Sequence, residues 1–238
     1  MSSAFLMGWR SLLYKSMDST TSRNFFLNPV VRLNNGALSP PFSHTLYIAA
    51  KMLSRVCLAL LLLLPASLAN VECPKIIGRT QWTSTPAGAV NYLIIPILYV
   101  VIHHTVTPEC NSRQECTSRV DGIRGYHMDD LGWDDIGYSF LIGGDGNVYE
   151  GCGWTREGAH TYGYNKKSIG IAFIGNFQNK DASQEMLNAA HKLIECGKDQ
   201  GILRSNVRVI GARQVRQTSS PGNQLYEQIQ DWSEWSNP

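Results

Sequence analysis

Leu98–Ile102 reads Leu-Tyr-Val-Val-Ile, a continuous apolar run rich in β-branched residues with no alternating polar face. A run of that kind has no side to turn toward water, which is the pattern of a strand covered on both faces. Ser168–Ile174 (Ser-Ile-Gly-Ile-Ala-Phe-Ile) repeats it, with small residues that allow close packing. Strands buried on both faces need helices to cover them, and helical periodicity is present. Gln114–Leu131 places Val120, Ile123, His127 and Leu131 at spacings of three and four. Asp181 and Gln184 form a potential capping box ahead of a helix carrying Leu187, Ala190 and Ile194, with Gly201 closing it. A last helix runs from about Gly222 to Trp232, with Leu225, Ile229 and Trp232 on one side. Gly137–Ile142 and Asn147–Glu150 flank Gly143-Gly144-Asp145-Gly146 and predict a hairpin, and Val207–Ile210 predicts a short strand. The alternation gives an α/β fold, a single domain with a central mixed β-sheet flanked by helices. Residues 70–238 suffice for one such domain, and no internal repeat or low-complexity stretch appears.

The chain ahead of that domain has a different character. Residues 1–69 hold six Lys/Arg against the single acid Asp18, a charge of +5, whereas residues 70–238 carry fifteen Lys/Arg and eighteen Asp/Glu, a charge of −3. An acidic body lacks the basic face that a general nucleic-acid binder needs, so nucleic acid is excluded as a partner. From Met52 the chain runs Met-Leu-Ser-Arg into the apolar stretch Val56–Leu64, then Pro65 and the small-residue exit Ser67-Leu68-Ala69. A basic start, a short apolar core and a small-x-small exit make residues 52–69 a secretory signal peptide. The stretch is short for a hydrocarbon core of roughly 30 Å. Residues 1–51 are read as an upstream extension; the alternative is a cytoplasmic tail preceding a signal anchor.

Export suits the cysteines. Beyond Cys57 there are five: Cys73, Cys110, Cys116, Cys152 and Cys196. The five residues between Cys110 and Cys116 suit a loop staple in an oxidising compartment, and Cys73 could tie the N-terminal end to a helix through Cys196. That leaves Cys152 as a buried thiol. The spacing does not suit a zinc knuckle.

Polar groups gather in four segments: Ile102-His103-His104-Thr105, Gly132–Tyr138, Gly158-Ala159-His160-Thr161 and Gly211–Gly222. Together, Val-Ile-His-His-Thr, Gly-Trp-Asp-Asp-Ile-Gly-Tyr-Ser-Phe-Leu-Ile-Gly, Gly-Ala-His-Thr-Tyr-Gly-Tyr-Asn, Ser-Ile-Gly-Ile-Ala-Phe-Ile-Gly-Asn-Phe and Ser-Pro-Gly-Asn-Gln-Leu-Tyr resemble the peptidoglycan recognition proteins. That family's fold is similar to zinc-dependent N-acetylmuramoyl-L-alanine amidases. The resemblance spans about Cys73–Pro238 and is strongest to the short, secreted insect members of the SA type. It implies an amidase-like recognition fold, bacterial peptidoglycan muropeptides as ligand, and extracellular recognition or protease-cascade proteins (Toll or prophenoloxidase) as partners. It also implies where an amidase's two zinc histidines, its zinc cysteine and its catalytic tyrosine would fall: His103, Ala212, Ser220 and Tyr138. Ala212 offers no donor atom and Ser220 offers a neutral hydroxyl in place of a thiolate, so a three-ligand hydrolytic zinc site is not expected. His104 is a poor substitute, because neighbours on a strand point to opposite faces. The expectation is a protein without cofactor and without amidase activity.

By resemblance, His103, His127, Tyr138, His160 and Asn165 line a ligand groove. The residue-level alternative for His127 is a satisfied histidine on the buried face of its helix, and for His160 a structural hydrogen-bonding role. Trp133 is read as core or groove wall, and Trp82, Trp154, Trp232 and Trp235 as packing. The resemblance puts discrimination between lysine-type and diaminopimelate-type stems at Thr155, Arg156 and Lys166, where a cation would pair with the extra carboxylate of diaminopimelate. Likeness to the SA type points the other way, to lysine-type recognition, and is preferred. Two alternatives stay open: a hydrolase using Ser220 as nucleophile with His103 as base, and a membrane-anchored receptor. Ile94–Leu98 is read as buried packing, with a partner-binding face as the alternative.

Overall fold

The computed structural model describes residues 72–238; the readings for residues 1–51 and 52–69 lie outside the described residues. Six strands form one sheet: β1 (Ile76–Ile77), β2 (Ile97–His104), β3 (Phe140–Ile142), β4 (Val148–Glu150), β5 (Ser168–Phe173) and β6 (Leu203–Gly211), in the order β1-β4-β3-β5-β2-β6. The β3–β4 hairpin is antiparallel and the other pairings are parallel, so the sheet is mixed. Every residue of β5 is buried, as its uninterrupted apolar sequence requires.

Period-two alternation divides the core. Val100 and Ile102 of β2, with Ile169 and Ile171 of β5, pack beneath α2 (Gln184–Asp199) and α3 (Asn223–Gln230), through Met186, Leu193, Ile194, Leu225 and Ile229. On the opposite face, Leu141, Tyr149, Ala172 and Ile174 pack beneath α1 (Arg113–Gly125) through Cys116, Val120 and Ile123. Trp82 and Trp232 are buried, and Trp154 and Trp235 pack partly buried against the core. Two disulfides brace the ends. Cys73–Cys196 ties the first described residues to α2 across 123 positions, and Cys110–Cys116 joins the approach of α1 to its first turn. In the chain-entropy account, closing a loop of that length contributes about 4–5 kcal/mol. Cys152 is free and buried, its Sγ donating to Ile136 O at 2.8 Å.

The structure departs from expectation at element ends. The regular helix begins under a Ser112 cap and gives way after Gly125 to one π turn, Tyr126–Asp130, closed by Leu131 N–H on Tyr126 O at 3.1 Å. That wider turn shifts the helical phase. His127 stays buried, but Leu131, expected on the same face, is exposed. Ser183, not Asp181, caps α2, its Oγ accepting from Met186 N–H. β6 runs nine residues, longer than Val207–Ile210. Ile97 is buried, as read for Ile94–Leu98, but Ile94 is 88% exposed and stands with Val90, Tyr92 and Ile95 on the surface. Among the described residues, no helix is long and apolar enough to cross a membrane.

Candidate functional site

The C-terminal end of β2 presents two adjacent histidines to opposite faces. His104 turns toward the α2/α3 side, where its Nδ1 accepts from Phe177 N–H at 3.2 Å. His103 turns toward the α1 side and meets side chains from three loops. Its Nε2 lies 3.0 Å from Thr161 Oγ1, and its Nδ1 lies 3.4 Å from Ser220 Oγ. The Tyr138 and His160 rings each lie 5.5 Å from it, centroid to centroid.

Thr161 organises this cluster. Its hydroxyl bridges His103 Nε2 and His160 Nδ1, at 3.0 Å each, so it donates to one imidazole and accepts from the other. Its own N–H donates to Asn165 Oδ1 at 2.7 Å, which fixes the loop. The His160 ring lies against β5 where Gly170 has no side chain; a Cβ there would stand 2.5 Å from the ring. The small residue in an otherwise apolar strand thus makes room for a site histidine.

His127, delivered by the π turn, accepts from Gly137 N–H at 3.0 Å and stacks on Trp133, with centroids 4.6 Å apart. Trp133 therefore backs the His127 ring without lining either part of the groove described below. Burial pushes His104, His127 and His160 down to about 4 and Tyr138 up to about 12. Burial, reinforced by the neighbouring His160 and His104, holds His103 well below the usual imidazole range. At neutral pH all four imidazoles are uncharged and each can donate one hydrogen bond.

These residues line an open groove. One part, a cavity of about 430 Å³, is walled by His103, Tyr138, His160, Tyr162, Arg216 and Ser220 among others. A second, about 400 Å³, continues past Thr105 and Tyr138 to His127, Tyr126 and Arg119. Sequence reasoning did not single out Thr161, Tyr162, Arg119 or Arg216; Thr161 and Arg216 had a signal, lying inside segments notable for their polar groups, and Tyr162 lay in the stretch that carried the family resemblance.

Ala212 and Ser220 converge on His103. Ala212 follows the last residue of β6, and its buried methyl faces the same cavity. Ser220 Oγ accepts from His104 N–H at 3.2 Å. The turn carrying Ser220 is held by Arg213, whose N–H donates to Ser220 O at 2.9 Å and whose guanidinium bonds Ser219 O and Asn223 Oδ1. Gly222 closes that turn at φ 94°, where a Cβ would strike the Phe177 backbone. One imidazole, a methyl and a neutral hydroxyl do not fit a hydrolytic zinc ion. Among the described residues, no group of three or more His, Cys, Asp or Glu is placed to hold a metal.

The three residues expected to read the stem are not gathered with this cluster. Thr155 is exposed, with its carbonyl accepting from Leu93 N–H at 2.8 Å. Arg156 is occupied: Nε donates to Cys152 O at 2.7 Å, and the guanidinium reaches Gly151 O and Asp135, which also binds Arg79 at 2.6 Å. Its guanidinium is thus held in place by intramolecular partners. Lys166 is exposed in the turn Asn165–Lys167 and lines neither part of the groove. Asn165 acts on the groove through Thr161.

Comparison with known proteins matches residues 95–223 to the N-acetylmuramoyl-L-alanine amidase family. Peptidoglycan-recognition protein 1 of Holotrichia diomphalia is 52% identical over 160 residues, covering 67% of this chain and 81% of that protein. The X-ray structure of the SA-type peptidoglycan recognition protein of Apis mellifera superposes with a TM-score of 0.68 at 70% identity, covering 69% of this chain and all of that one. A solved peptidoglycan recognition protein LE, in complex with tracheal cytotoxin (monomeric diaminopimelic acid-type peptidoglycan), is 39% identical. It covers 68% of this chain and 96% of that chain at a TM-score of 0.67.

Proposed function

The chain belongs to the peptidoglycan recognition proteins, and from that premise we propose that it is a secreted receptor that binds bacterial peptidoglycan without metal and feeds an extracellular protease cascade. The observation that carries this reading is the groove around His103. Its neutral imidazoles, the Tyr138 ring and the threonine hydroxyls form a surface of single donors, acceptors and aromatic faces. Such a surface suits amides, hydroxyls and sugar carbons, and the charges in the groove walls, Arg216 and Arg119, are both cationic. The complex of the relative with tracheal cytotoxin supports a muropeptide as occupant.

Amidase chemistry is set aside on the donor set. A zinc hydrolase needs three protein ligands and an open position for water, and Ala212 supplies none. The signal-peptide pattern of residues 52–69 and the two disulfides support export. Likeness to the SA type supports lysine-type stems and a Toll or prophenoloxidase partner.

The test is co-sedimentation of the protein, recovered from the medium of cells expressing the full chain, with insoluble lysine-type and diaminopimelate-type peptidoglycan. Binding that survives chelator, with more protein on the lysine-type polymer, is the expected result. Loss of binding in chelator, or an equimolar zinc content, overturns the metal-free reading. N-terminal sequencing of the recovered protein should begin near Asn70; a retained residue 1–51 segment returns the anchored receptor.

One contact favours a second reading, in which Ser220 cuts a stem-peptide bond. Its Oγ lies 3.4 Å from His103 Nδ1, in reach of a base. His103 is a weak base where burial has lowered its pKa, and among the described residues its ring nitrogens meet Thr161 and Ser220 rather than a carboxylate. Release of a free amino acid from muropeptide, abolished by Ser220→Ala, would establish it.

A further inference from the structure

Arg119 stands on α1 between two cavities, of about 400 and 520 Å³, and lines both. Its charge is left without an acid. Glu115, one helical turn earlier, would ordinarily answer it. That carboxylate instead accepts from Asn111 N–H at 2.9 Å, while Asp121 pairs with Arg124. Among the described residues, no ion pair reaches Arg119. Its Nε is shut off from water and has no hydrogen-bond partner. A charged donor in that position is costly unless something completes it.

The groove side of Arg119 is built to the same sign. The 400 Å³ cavity has no Asp or Glu in its wall, which carries the hydroxyls of Thr105, Thr107 and Ser118 beside Ile123 and Tyr126. His127, on the far side, accepts through Nδ1 from Gly137 and so keeps its proton on Nε2, a second donor. One unanswered guanidinium, a neutral imidazole donor and hydroxyls, with no competing carboxylate, form a receptor for an oxyanion.

We infer that Arg119 is a carboxylate subsite of the groove, taking a free carboxylate of the stem peptide of the bound muropeptide. A planar guanidinium can meet a carboxylate with two parallel hydrogen bonds, and the partly buried wall lets that pair count for more than on an open surface. The inference rests on the recognition reading above and adds which part of the ligand the α1 end of the groove holds.

Titration calorimetry of the full-chain secreted protein tests it, with a muramyl tetrapeptide bearing free carboxylates and the same compound with every carboxylate converted to the carboxamide. Wild type should bind the free acid about tenfold more tightly. R119Q should bind the two within about twofold, and R119K, which keeps the charge without the fork, should retain about a threefold preference. Equal binding of both ligands by wild type, or a tenfold preference surviving in both variants, overturns the subsite while leaving recognition intact. Binding of neither ligand by wild type overturns the recognition reading itself, and the subsite with it.

Discussion

His103 and His104 are the same residue type on consecutive positions of β2, both buried and both uncharged at neutral pH, yet they have different work. His104 is fastened from within: Phe177 N–H fills its Nδ1 on the side covered by α2 and α3. His103 is fastened by loops: Thr161 with His160, Ser220 and Tyr138 reach it from three segments. The difference teaches that burial and lowered basicity do not by themselves mark a functional histidine. What separates the two is whether the partners belong to the packed layers or to an open groove.

Acid should strike both sides of β2 together, and this is the largest effect expected. Burial holds His104, His127 and His160 near 4 and His103 well below the usual imidazole range, against about 6.5 in an unfolded chain. Between those values the unfolded state binds the extra protons, so stability is fully present above about pH 6.5 and is lost as pH falls toward 4. Four such groups, with His104 and His127 discounted for their partial exposure to solvent, amount to about 5 kcal/mol between pH 6.5 and 5. Urea unfolding across that range measures it. His103→Gln should flatten the acid limb by one group's share, about 1.4 kcal/mol per pH unit. An unchanged slope would mean that His103 protonates as freely as an exposed imidazole.

Alanine at each position then separates fold from function. His104→Ala leaves Phe177 N–H unpaired and opens a void in a packed layer, a cost of about 3 kcal/mol. His103→Ala should cost about 1 kcal/mol, because its partners can turn to groove water, and should weaken muropeptide binding about tenfold. Urea midpoints and binding of the folded protein at low temperature give both numbers. The reverse pattern would dissolve the distinction between the two histidines.

That distinction was legible in the sequence, because strand periodicity sends neighbours to opposite faces. β2 and β5 were legible for a similar reason: a strand buried on both faces has only one kind of residue to offer. β6 was shorter on paper than in space because it lies at the sheet edge, where Arg204, Ser205, Asn206 and Arg208 are exposed and break the apolar signal. The π turn was invisible, since one extra residue per turn leaves Val120, Ile123 and His127 in apparent phase and betrays itself only at Leu131. At the site, the cluster residues drawn from the family resemblance converged, but those read as specificity determinants did not. Arg156 carries no local sign that Asp135, distant in sequence, will claim its guanidinium. Thr161 matters only because two imidazoles arrive on either side of its hydroxyl.

The smallest effect concerns the bend by which the chain leaves the His103–His104 pair. Val106 adopts φ 58°, a left-handed conformation that a β-branched residue resists, and it is exposed at the edge of the His103 cavity. Its N–H is committed to Gly175 O at 2.8 Å, and Thr105 N–H to Phe173 O at 3.0 Å, so the sheet fixes the backbone and the side chain must accept it. Asparagine tolerates that region better than valine. Val106→Asn should therefore stabilise the fold by about 0.5–1 kcal/mol, or roughly 2–3 °C in Tm. If valine is kept there for the apolar surface it gives the groove, the same variant should bind muropeptide about threefold more weakly, a modest fraction of a buried apolar contact. A gain in stability with undiminished binding would assign the strained bend to the fold, alongside His104. A gain in stability with weakened binding would place it with His103, as a feature held against local preference because the groove uses it.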